Sequence, residues 1–195
     1  MFVIGIDPSA KCIAVVGVET FTNSIYVEKG KLYPKGATRQ TPESLSNAFA
    51  FTESVIMSVE HLAPAGQRYA FIETPLVGRG GVSATIKQAY VGGIIRGCLA
   101  TRGFEVVDVH PSTWRAGLKI KGKGTDILKI VTRQYVETNL SKAMPRIGDD
   151  HDLVDAAAIC LFGLQQLASD AGPPKSPQRR VQRRTTKPIL RKSQL

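Results

Sequence analysis

The sequence predicts an α/β domain: a mixed sheet of about five strands with helices on its faces. Three observations lead there. The chain opens on FVIGID, a continuous apolar run ending in an acid, as in a central strand buried on both sides. Two further strand-like segments follow after short turn sequences, as an antiparallel meander requires. From residue 41 onward helical and strand periods alternate, which adds parallel strands through crossover helices.

Residues 2–7 form the first expected strand, and 12–19 (CIAVVGVE) and 24–33 the next two, with PSAK and TFTN as turns. Residues 41–62 are expected as a helix with Thr41 at the N-cap and Pro42 in the first turn. Its buried stripe reads Leu45, Ala48, Phe49, Thr52, Val55, Ile56 and Val59. Residues 68–74 (RYAFIET) give a fourth strand. Residues 82–101 suit a second helix despite Gly92 and Gly93, whose small size favours close packing. Residues 104–109 (FEVVDV) are a fifth strand, and 111–118 hold a short helical turn. LKIKGKG (118–124) is a basic loop, followed by helices over 125–138 and 149–168. No internal repeat is visible.

Composition narrows the function. The 195 residues are 43% hydrophobic, enough for one core but for little more than one domain. No apolar run approaches the ~20 residues of a membrane span. The opening MFVIGIDPSAK has an acid inside its apolar run and no basic start, so it reads as a strand rather than a secretory signal. Cys12, Cys98 and Cys160 are odd in number and lie in apolar segments. That fits a reducing compartment, and a cytoplasmic location is expected, in a bacterial cell or a phage-infected host.

The net charge of +10 invites a polyanionic partner. The excess is concentrated: residues 173–195 carry eight of the 26 basic residues and no acid, leaving 18 against 16 in the rest. We therefore divide the chain into a folded domain, 1–170, and a disordered basic tail, 171–195.

Four acids stand out. Asp7 and Glu73 each close an otherwise apolar strand, where a carboxylate has lost hydration and needs a cation or donors. The ordinary alternatives are a turn-starting Asp before Pro8 and a solvent-facing strand end. Asp152 and Asp155 lie about 60° apart on one face of the last helix and repel unless a cation intervenes. Asp149 and Asp150 are explained by capping. Four carboxylates converging from two strand ends and a helix suit a pair of Mg²⁺ ions, hard cations that prefer oxygen ligands. Such a pair, about 3.5–4 Å apart, activates a water and stabilises the leaving oxygen of a phosphodiester. His151 points away from Asp152, so its ordinary reading is a cap or surface position. A helper role as metal ligand or proton acceptor is the other.

These residues resemble a known family. IGIDPS with Asp7, FIETPLVGRGG with Glu73 and DLVDAAAI with Asp152 and Asp155 are similar, in order and spacing, to the motifs of the RuvC Holliday junction resolvases of the ribonuclease H-like superfamily. KQAYVGGIIRGCLA resembles the family's small-residue helix, and FEVVDVHPSTWR the strand and connector after it. The likeness covers about residues 2–168.

It implies a ribonuclease H-like fold and a homodimeric endonuclease that nicks four-way DNA junctions symmetrically. The cofactor would be Mg²⁺, for which Mn²⁺ can substitute. Asp7, Glu73, Asp152 and Asp155 would be the catalytic metal ligands. Arg115, Lys119, Lys121 and Lys123 would lie near the scissile phosphate, and Arg79 and Lys87 would approach DNA from the loop and helix after Glu73. Family members commonly carry an intruding Phe three residues after the catalytic Glu. Here Leu76 stands there, an apolar wedge that cannot stack on a base. A broader nuclease for flaps, forks and replication intermediates therefore stays open. So does a catalytically inert nucleic-acid-binding module of the same fold, which the presence of all four acids opposes. A two-domain ATPase of the sugar-kinase or actin type needs a longer chain and a glycine-rich adenosine loop.

Overall fold

A computed structural model describes residues 1–9, 11–33, 42–63, 66–75 and 81–169. The basic tail, the Thr41 cap and the loop holding Leu76 and Arg79 lie outside the described residues. Five strands form one sheet in the order β3-β2-β1-β4-β5. They are β1 (Phe2–Pro8), β2 (Cys12–Glu19), β3 (Ile25–Lys31), β4 (Arg68–Glu73) and β5 (Glu105–Val109). The first three make the expected antiparallel meander, and β4 and β5 add in parallel beside β1. Among the described residues no helix is long and apolar enough to cross a membrane.

Helices cover both faces. Phe2, Ile4, Ile6, Ile13 and Ile72 belong to a core shared with α1 (Pro42–Leu62) and α2 (Gly81–Thr101). The alternate residues Val3, Ala14, Val16, Val27 and Phe71 face a second core shared with α6 (His151–Ala168). Period-two alternation explains the division, since successive strand residues point to opposite faces. Between β5 and α6 run α3 (Pro111–Gly117), α4 (Thr125–Asn139), a short 3-10 turn (Ser141–Ala143) and α5 (Met144–Ile147).

Three local readings are corrected. Phe49 does not join the buried stripe of α1: it is 54% exposed, and Ser44 lies on the buried side instead. The stripe that packs runs Ala48, Thr52, Val55, Ile56, Val59, and Phe49 is one position around the helix from it. Helix α6 begins at His151 rather than 149, because Asp150 is its N-cap and accepts from the backbone N–H of Asp152 (3.0 Å) and Leu153 (3.2 Å). Helix α5 was not expected. Its Arg146 guanidinium donates to the carbonyls of Ile25 and Val27, 2.9 Å each, on the outer side of β3.

The position of α6 depends on small residues. Ala156, on the side of α6 that meets Gly5 of β1, is fully buried, as are Ala157 and Ala158 after it. A Cβ at Gly5 would stand 2.2 Å from the Ala156 carbonyl oxygen and 2.3 Å from the Cys160 nitrogen. At Gly163 it would stand 2.4 Å from the Phe71 ring. Phe71 and Phe162 meet edge to face, with ring centres 6.3 Å apart. Because the Gly5 contacts are backbone atoms, no rotamer change relieves them. Gly5→Ala should therefore destabilise the fold by about 1–3 kcal/mol, read as a lower urea midpoint, by forcing α6 off β1. An unchanged midpoint would show that α6 does not rest on β1 at this point.

Candidate active site

The sheet register brings Asp7 and Glu73 together. Ile6 of β1 pairs with Ile72 of β4, so the next residue of each parallel strand, Asp7 and Glu73, stands beside the other. Both lie on the α6 face, two residues beyond Gly5 and Phe71. Asp152 and Asp155 come from the first two turns of α6 above them. The charges of Glu73, Asp155 and Asp152 reach Asp7. Burial first, then the charges of Glu73, Asp155 and Asp152, holds Asp7 protonated well above the usual carboxylate range. Burial likewise raises Glu73 to about 7, with Asp155 adding to it while the Trp114 hydrogen bond and Arg115 oppose. Burial raises Asp155 as well, Arg115 lowers it, and Asp152 raises it further.

Two cations flank this negative cleft. Lys29 of β3 donates to Asp150 at 2.8 and 2.7 Å and to Asp152 Oδ2 at 2.7 Å. Although desolvation pulls its pKa down, these two carboxylates hold the ammonium charged well above the usual lysine range. Arg115 stands 3.7 Å from Asp155, with its guanidinium 4.4 Å from the centre of the Trp114 ring. Trp114 is fully buried and donates its indole N–H to Glu73 Oε2 at 2.8 Å. The Cys12 thiol donates to Asp152 Oδ2 at 3.2 Å; burial pushes it up to about 11, so it stays a protonated donor.

Sequence reading missed Lys29, Trp114 and the contact of Cys12. For Lys29 a signal existed: it lies two residues from Val27, on the strand face that the apolar pattern sends inward. Trp114 is the only tryptophan of the chain, in a connector read mainly for its basic residues.

The other expected site residues are dispersed. His151 is exposed at the start of α6, close enough to Asp155 to lower its carboxyl. Asp149 is 97% exposed and pairs with Arg133 at 2.7 Å. Lys87 is half-buried on α2, whose Gln88 ties the end of β1 through a 2.7 Å bond to the Pro8 carbonyl. Lys119, Lys121 and Lys123 are exposed between α3 and α4. Lys119 adopts a left-handed φ of 57°. Arg115, the partner of Asp155, also lines an open cleft of about 570 Å³ with His110, Ser112, Lys119, Lys121 and Leu128 among others.

The donor set, all carboxylate oxygen at its centre, fits a hard divalent cation such as Mg²⁺ or Mn²⁺. Burial raises Asp7, Glu73 and Asp155 first, and the neighbouring carboxylate charges that add to it are a repulsion such a cation relieves. Among the described residues, no three His, Cys, Asp or Glu side chains stand grouped to hold a metal ion. Asp152 is turned to Lys29 and Cys12, and Asp155 to Arg115.

The Trp114 bond to Glu73 favours the ionised carboxylate. Trp114→Phe keeps an aromatic ring in the core and removes that donor. The Glu73 carboxyl should then titrate higher than about 7, by roughly one unit in a ¹³C NMR pH titration. The sign for stability follows. A carboxyl raised in the folded state favours folding while protonated, so its contribution falls as pH rises from about 4.5 to about 7. In the variant this loss should extend to higher pH. A Glu73 titration unchanged or lowered would break the assignment.

No family model matches the chain, and no curated protein sequence matches it. Solved structures do. Thermus thermophilus RuvC superposes with a TM-score of 0.64 at 20% identity, over 87% of this chain and 97% of that one. The same protein in complex with a Holliday junction substrate gives 0.59 at 19%, over 87% and 96%. The yeast mitochondrial Holliday junction resolvase Ydc2 gives 0.46 at 10%, over 86% and 82%, too loose a likeness to weigh. The mixed five-stranded sheet and the six helices around it are thus those of the ribonuclease H-like fold, in the form that RuvC has.

Proposed function

We propose that the chain is a metal-dependent endonuclease that resolves four-way DNA junctions by phosphodiester hydrolysis, in recombination and repair. The observation that carries this is the pairing of Asp7 with Glu73 at two adjacent strand ends, under Asp152 and Asp155 of α6. Asp7, Glu73, Asp152 and Asp155 would hold Mg²⁺, or Mn²⁺ in its place. When bound, the metal supplies Lewis acidity toward a water and a phosphate oxygen. The chain's own groups do the rest. Glu73, raised to about 7, can hold or release a proton at neutral pH. Trp114 fixes its carboxylate. The exposed Lys119, Lys121 and Lys123 and the edge of Arg115 offer cations to the phosphates flanking the scissile bond. Lys87, Arg79 and Leu76 would meet DNA from the Glu73 side, and the basic tail would add contacts without sequence information.

Asp7→Asn should reduce cleavage of a four-way junction in Mg²⁺ by at least about 100-fold while leaving binding in place. Asp149→Asn, at an exposed position paired with Arg133, should cleave near the wild-type rate. Comparable turnover by the Asp7 variant would remove it from the site. Fork and flap substrates cut as fast as the junction would favour the broader branched-DNA nuclease, and no cleavage at all would favour the inert binder.

The junction reading also needs two sites related by a two-fold axis. On α2 the side chains of Val82 (67%), Ile86 (48%) and Tyr90 (59%) are exposed at helical spacing, and Gly93 and Gly97 leave open space. We infer that this face pairs two copies. Tyr90→Asp should yield a monomer by sedimentation and lose paired nicking. A wild-type chain that sediments as a monomer with and without junction DNA would remove the dimer.

A further inference from the structure

The cleft contains a cation supplied by the chain itself. Lys29 lies in register with Ala14 of β2, which lies in register with Asp7 of β1. The three share the sheet face under α6. From the outer strand, Lys29 Nζ makes three bonds, to both oxygens of Asp150 and to Oδ2 of Asp152, all within 2.8 Å. An ammonium has three donors, so all three are used. Asp150 is committed in turn, since its Oδ1 caps the N–H groups of Asp152 and Leu153. The oxygen that Lys29 holds on Asp152 also accepts the Cys12 thiol at 3.2 Å. That oxygen carries two donors, and a divalent ion can take it only by displacing one of them. The ion would also arrive next to a like charge.

We propose that Lys29 is a resident counter-cation that competes with divalent metal for Asp152, so that metal at Asp152 binds more weakly than metal at Asp7 and Glu73. This rests on the reading of the carboxylate cleft as a metal site. Lys29 is a positioning residue: it acts through Asp152 and through the cap of α6. Its charge neutralises one carboxylate of the cleft while metal is absent. It also sets how much metal is needed before Oδ2 of Asp152 is released.

The test is Mn²⁺ binding to the full chain without DNA, followed by the electron paramagnetic resonance of free Mn²⁺. Lys29→Gln should bind its weaker Mn²⁺ about tenfold tighter than wild type. Lys29→Arg, which keeps the charge, should bind it as wild type does. Equal or weaker binding by the Gln variant, with a wild-type circular dichroism spectrum, would overturn the proposal. A second measurement needs no substitution. In the wild-type protein the ¹⁵N ammonium resonance of Lys29, slowed in exchange by its three bonds, should broaden as Mg²⁺ saturates the site. A resonance unchanged at saturation would also overturn it. Asp7→Asn separates the two levels. If it binds all its Mn²⁺ as wild type does, the metal site itself is wrong, and the role of Lys29 with it. If it loses Mn²⁺ while Lys29→Gln binds as wild type, only the role of Lys29 fails.

Discussion

Helix α6 reaches the sheet only because residue 5 has no Cβ. The helix backbone occupies the volume that any side chain there would need, with the Ala156 carbonyl oxygen and the Cys160 nitrogen each within 2.3 Å of the missing atom. That contact fixes the height of the helix above β1. Ala156, small and fully buried at that contact, keeps the helix close to the strand. Two residues along β1 from Gly5 stands Asp7, and one turn back along α6 from Ala156 stands Asp152. The spacing of the carboxylates is therefore inherited from a packing contact deeper in the core. Side chains set on rigid elements owe the precision of their spacing to contacts of this kind.

Burying carboxyls within range of one another's charge is electrostatically unfavourable, and the fold disperses the strain in several ways. Burial raises Asp7, Glu73 and Asp155, which makes each readier to hold a proton. Part is met by donors: the indole of Trp114 on Glu73 and the thiol of Cys12 on Asp152. The rest falls to two cations from opposite sides, Lys29 from the meander and Arg115 from α3. None of these groups comes from α6 itself. The helix supplies acids, with His151 easing Asp155, and the neighbouring elements supply most of what makes them tolerable.

Much of this architecture was legible in the chain. The order of strands and helices followed from apolar periodicity and turn residues, and Asp7 and Glu73 announced themselves as acids ending apolar strands. The hydrophobic pattern says which face a residue takes but not which residue of another strand lies beside it. Lys29 could be placed on the inward face of β3, yet its meeting with Asp150 and Asp152 depends on register across three strands and on the tilt of α6. Trp114 was hidden for a similar reason: its indole reaches Glu73 across 41 residues of chain. Phe49 shows the opposite limit, an aromatic that fits a buried stripe by type while its azimuth carries it outward.

The guanidinium of Arg146 has a consequence for how this molecule can meet others. Strand β3 ends the sheet, and an end strand offers free carbonyls to any extended peptide that comes alongside. Two of those carbonyls, at Ile25 and Val27, are occupied by one planar fork from α5. The meander is thereby closed to β-augmentation at the border nearest Lys29. A neighbouring chain that lengthened the sheet there would have to evict Arg146 and would pull on the strand that anchors the start of α6. At these two carbonyls the β3 border is held by the protein's own side chain, on the edge of the strand that carries Lys29 into the acidic cleft.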